Sequence, residues 1–128
     1  MRTKSVVYFT QKEEELVQLL VDIGIRKVTA KVLVFMADTP EATSREIERG
    51  TDLRQPEVSI AMNFLAEQGW MSSRKNKTAG KGRPLKIYRL SKTFAQIMQI
   101  IEKQKKEEAK NHLALVQKLR SYVPHSGS

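Results

Sequence analysis

Six of the thirteen residues from Arg74 to Lys86 are lysine or arginine: Arg74, Lys75, Lys77, Lys81, Arg83 and Lys86. No aspartate or glutamate occurs from Gln68 to Ile101, and that window holds eight basic residues, close to the whole formal net charge of +9. The charge is concentrated rather than spread, and concentration is what a polyanion partner needs. A charge run is usually only a solvated turn. Lysines in such turns are normally interspersed with acids, however, and here there are none. In Gly80-Lys-Gly-Arg-Pro84, glycines surround an arginine stiffened by proline, so that backbone and guanidinium can enter a narrow groove together.

A second group, Arg54, Gln55, Ser59, Ile60 and Asn63, lies just upstream. Gln and Asn can pair with both edges of adenine, Arg with guanine, and an aliphatic side chain can touch a thymine methyl. Bland readings stand beside these. Gln55, before Pro56, is either a reader or a side-chain cap, and Ile60 either touches a base or packs with Phe64. Glu57 is a helix-dipole partner first and a cytosine reader second.

Other chemistries find little support. The chain has no cysteine, which excludes disulfides, thiolate metal sites and a cysteine nucleophile. Its two histidines, His112 and His125, have no matching ligand set. There is no P-loop pattern, and Gly80-Lys-Gly lacks the dinucleotide spacing. The expectation is a protein that is not an enzyme and uses neither metal nor cofactor. Val6 to Phe9 is too short for the core of a signal peptide, and no apolar run approaches a membrane span, so a soluble, cytoplasmic protein is expected.

The elements that must position these residues can be read from periodicity and punctuation. Thr10-Gln-Lys-Glu13 is a capping box, opening a helix with Leu16, Leu19 and Leu20 on one face that ends near Gly24. A second helix spans about Arg26 to Ala37, with Val28, Val32, Leu33 and Met36 at helical spacing. Thr43-Ser-Arg-Glu46 is another capping box, for a short helix containing Ile47 and stopped at Gly50. After a tight connection from Thr51 to Gln55, Pro56 sits at a first helical position. The helix it opens buries Val58, Ala61, Met62 and Leu65, turns Ser59, Ile60, Asn63 and Glu67 outward, and closes at Gly69.

From Trp70 the period changes to two. Trp70 to Arg74 and Leu85 to Leu90 read as paired strands, with Lys75 to Pro84 as turn. Trp70 reads as a core anchor rather than a stacking platform, and Tyr88 fits either face. Ser91 then caps a long helix from about Thr93 to Tyr122. Its Phe94, Ile97, Met98 and Ile101 are expected to pack on the domain. Beyond a charged stretch the helix becomes apolar again at Leu113, Val116 and Leu119, the pattern of a helix that meets a partner helix.

Two helices joined by a short turn, followed by a basic hairpin, make a winged helix-turn-helix. The expected fold is mainly α with a small β-hairpin wing. Residues 1–91 would form this domain with its N-terminal helix, 92–123 a long dimerising helix and 124–128 a disordered tail.

Residues 26–91 resemble archaeal-type winged helix-turn-helix transcriptional regulators, akin to the TrmB, ArsR and MarR groups. The resemblance is carried by Gln55-Pro-Glu-Val-Ser59, Met62-Asn-Phe-Leu65, Glu67-Gln-Gly-Trp70, Lys81-Gly-Arg-Pro84 and Tyr88-Arg-Leu90. It implies a homodimer on a palindromic double-stranded DNA operator, with Arg54 to Asn63 in the major groove and Arg83 near the minor groove. The chain departs from metal-sensing relatives in having neither cysteines nor a histidine pair. Two rival readings stay open: a protein-interaction module of the basal transcription machinery, and a non-specific nucleic-acid-binding protein.

Overall fold

The computed structural model describes residues 9–76 and 85–124. The elements are α1 (Gln11–Asp22), α2 (Lys27–Ala37), α3 (Ser44–Thr51), α4 (Gln55–Glu67), β1 (Met71–Asn76), β2 (Leu85–Leu90) and α5 (Phe94–Arg120). They fall into two compact units, Met1–Thr93 and Phe94–Ser128. The architecture is mainly α with one antiparallel hairpin, as the sequence predicts.

In the first unit α2 is the central element, packing against α1, α3, α4 and β2. Every residue from Val32 to Met36 is buried, so both faces of this helix lie in the core. The fully enclosed aliphatics Leu33, Ile47, Leu65 and Val58 come from α2, α3 and α4. Each such side chain contributes about 1.5–3 kcal/mol relative to an exposed one.

Both capping boxes form. Thr10 Oγ1 accepts from the Glu13 N–H at 3.1 Å while Glu13 Oε1 accepts from the Thr10 N–H at 2.8 Å. Thr43 and Glu46 repeat the arrangement at 3.2 and 2.8 Å. On α1 the buried residues are Glu13, Val17 and Leu20. Leu19, expected inside, is exposed, because α1 packs along α2 and the seam runs through positions 13, 17 and 20.

Gly50 does not stop α3; the helix continues to Thr51, and Asp52 ends it in the left-handed conformation at φ 57°. The glycine is there for space, since a Cβ at Gly50 would overlap the Phe35 ring of α2. Thr51 closes the last turn by donating its hydroxyl to the Ile47 carbonyl at 2.6 Å. The turn between α3 and α4 is therefore Asp52 to Arg54, shorter than expected, with Leu53 anchored inside. Pro56 occupies the second helical position of α4 rather than the first, where its missing N–H is still without cost.

Val58, Ala61, Met62 and Leu65 form the buried face of α4, and Gly69 leaves the helix at φ 78°. Trp70 precedes β1 instead of opening it. It is 2% exposed and meets Phe64 edge-to-face, with ring centroids 6.1 Å apart and planes at 81°. The hairpin register pairs Met71 with Leu90, Arg74 with Ile87 and Asn76 with Leu85. A bridge from Ala42 to Tyr88 extends the sheet on the far side of β2, with N–H···O bonds of 2.8 and 3.0 Å. β1 runs on to Asn76, so Lys75 belongs to the strand and not to the turn. The rest of the expected turn, residues 77–84, lies outside the described residues.

In the second unit α5 starts at Phe94, later than a Ser91 cap implies; the Ser91 N–H is instead bonded to the Trp70 carbonyl at 2.7 Å. Of its apolar residues Ile97 and Ile101 are buried, whereas Leu113, Leu115, Val116 and Leu119 are exposed. The expected tail, apart from Pro124, lies outside the described residues.

Candidate nucleic-acid interface

The outward face of α4 is built by the packing of its inward face. Once Val58, Ala61, Met62 and Leu65 are fixed in the core, helical geometry turns Gln55, Ser59 and Asn63 outward at steps of four. Arg54, Gln55, Ile60 and Asn63 are exposed and Ser59 is half-buried. Gln55 Nε2 donates to Ser59 Oγ at 2.9 Å, which holds the glutamine along the helix surface. Gln55 is the first residue of α4, and Arg54 is the N-cap. Glu57 accepts the Arg54 N–H at 3.0 Å, so its carboxylate serves the helix start. Ile60 keeps 46% of its surface exposed, while Phe64 is engaged with Trp70.

The hairpin follows α4 directly and packs against its end. Arg74, Lys75, Lys86 and Arg89 are all exposed on its two strands. The register places Lys75 opposite Lys86. Directly opposed residues share a face with Cβ atoms about 4.5–5.5 Å apart, and like charges there are unfavourable. Neither lysine has a carboxylate partner among the described residues. Such a pair is relieved by an anion lying across it.

Arg74 differs. Its Nη2 pairs with Glu41 Oε1 at 2.9 Å. The acid-free window therefore overstates the free charge of this stretch, because an acid from the segment between α2 and α3 reaches the first residue of the run. Sequence reading missed Glu41, and no local signal marks it. It also left out Arg89, whose signal was present, as a further base in the same window. Lys77, Lys81 and Arg83 lie outside the described residues.

Among the described residues no three His, Cys, Asp or Glu side chains group as metal ligands, and no helix is long and apolar enough to cross a membrane. His112 is exposed on α5.

Three core helices with a tight turn between α3 and α4, and a hairpin wing behind α4, define a winged helix-turn-helix. Solved structures share this fold at low sequence identity. A possible transcriptional regulator from Methanosarcina mazei Go1 matches with a TM-score of 0.62 and 18% identity, covering 95% of this chain and 100% of that one. TrmBL2, described as an archaeal chromatin protein with a novel mode of DNA binding, gives 0.65 and 17%; the match covers 87% of this chain but only 40% of TrmBL2. The multiple antibiotic resistance repressor MarR gives 0.52 and 19%, over 89% and 88% of the two chains. No family model and no curated protein matches the sequence. The fold is thus that of winged-helix transcriptional regulators, as the resemblance implies.

Proposed function

We propose that this protein is a sequence-specific DNA-binding transcriptional regulator that acts as a homodimer in the cytoplasm. The observation that carries the reading is the pairing of two surfaces. One is a helix whose outward side chains, Arg54, Gln55, Ser59, Ile60 and Asn63, suit base edges. The other is a hairpin directly behind it with the opposed Lys75 and Lys86, which have no carboxylate partner among the described residues. Base contacts supply sequence choice and backbone contacts supply sequence-blind affinity.

Asn63→Ala and Gln55→Ala test the first surface. Each is expected to cost about 1–3 kcal/mol on a site selected from a random DNA pool, and much less on random duplex. Equal losses on both DNAs would mean that these residues only position the protein.

A second reading, sequence-blind DNA coverage, is favoured by the fold shared with the chromatin protein TrmBL2. Unrelated DNA then competes as well as the selected site, and the pool yields no motif.

The dimer is assigned to the end of α5. Leu113, Val116 and Leu119, joined by Leu115, are exposed beyond a stretch charged nearly all round. A second copy of the helix covers that stripe. One winged domain makes a small interface with DNA, and linking two raises affinity without any new kind of contact. Truncation after Glu102 keeps Ile97 and Ile101 and is expected to give a folded monomer that binds a half-site weakly. Sedimentation of both forms decides it; a truncated dimer moves the interface elsewhere, for instance to α1.

A further inference from the structure

The ion pair between Arg74 and Glu41 joins residues 33 apart in the sequence. Ala42 is bonded to Tyr88 on one side of β2, and β1 lies on the other. Glu41 and Arg74 therefore meet across β2, over two strand spacings of together roughly 10 Å, a gap that two long side chains can close. The backbone bridge at Ala42 fixes where the Glu41 carboxylate begins. Both side chains remain accessible, at 42% for Glu41 and 55% for Arg74, so solvent and anions can reach the pair. Lys75, Lys86 and Arg89 on the same hairpin have no such partner among the described residues.

We infer that Glu41 withholds Arg74 from the DNA backbone and is thereby a specificity-determining residue. The inference rests on the proposed DNA binding. A phosphate contact strengthens binding to every duplex alike, whereas base contacts strengthen binding to one. By occupying a guanidinium midway along β1, Glu41 removes one sequence-blind contact and leaves the reading face of α4 untouched. The share of affinity that depends on sequence rises accordingly.

The test is a salt series of fluorescence-anisotropy titrations on random-sequence duplex, using the full chain and its variants E41Q, R74A and E41Q/R74A. E41Q is expected to bind more tightly, with a log–log salt slope steeper by about 0.9, the value of one added phosphate contact. R74A alone is expected to keep the wild-type slope, and the double variant to return to it. Three results overturn the inference while leaving DNA binding intact. If R74A alone flattens the slope, Arg74 already sits on phosphate. If E41Q steepens it equally in the R74A background, Glu41 acts only by general repulsion. If E41Q changes nothing, the pair merely fastens the hairpin. Absence of any duplex binding by the wild type at low salt overturns the proposed function, and this inference with it.

Discussion

Trp70→Ala is expected to lower the stability of the protein by about 3–5 kcal/mol, the usual cost of removing a buried tryptophan. Trp70 is enclosed and in edge-to-face contact with Phe64. Its N–H is held by the Leu65 carbonyl at 3.0 Å and its carbonyl by the Ser91 N–H at 2.7 Å. The residue thus ties the end of α4 to both ends of the hairpin. Alanine preserves the two backbone bonds, so the loss isolates the side chain. A domain of this kind holds only about 5–15 kcal/mol in total, and the variant stands near its unfolding threshold. Trp70→Phe is expected to recover part of the loss, because a ring still meets Phe64. Urea unfolding followed by far-UV circular dichroism measures both. A wild-type midpoint for Trp70→Ala would remove the residue from the core.

The largest effect on binding is expected from replacing Lys75, Lys77, Lys81 and Arg83 together by alanine. If all four rest on phosphates of B-form DNA, the log–log salt slope falls by about 3.6, or 0.9 for each. Over a fourfold rise in salt the wild type then loses about two orders of magnitude more affinity than the variant does. The loss should be alike on selected and random DNA. Arg74 is left out of the set because Glu41 already holds it. Anisotropy titrations at several salt concentrations measure the slope, and an unaltered slope places the wing away from the backbone.

What the sequence revealed was mostly what lies within one or two helical turns. Thr10 with Glu13, and Thr43 with Glu46, declare helix starts because both partners are close in the chain. The inner face of α4 declares itself because Val58, Ala61, Met62 and Leu65 repeat at the helical period. Gly50 suggests a helix stop in the sequence because glycine commonly serves as one. Its actual reason, the Phe35 ring, lies on another helix and leaves no mark on the local pattern. Leu19 failed similarly, since the position of α2 decides which stripe of α1 is covered. The candidate site divides along the same line. Exposure of Gln55 and Asn63 follows from local periodicity. The Arg74–Glu41 and Ala42–Tyr88 pairings depend on tertiary structure and were invisible.

The bridge at Ala42 bears also on how molecules of this protein avoid one another. A hairpin standing alone has two open flanks, each a row of unpaired amides and carbonyls on which another chain can add a strand. Among the described residues β2 has β1 on one side and Ala42 on the other, and no further strand pairs with β1. That strand carries Arg74 and Lys75, and the cationic Lys75 makes approach by an identical strand unfavourable. The same charge that suits a polyanion thus guards the sheet against edge-to-edge aggregation.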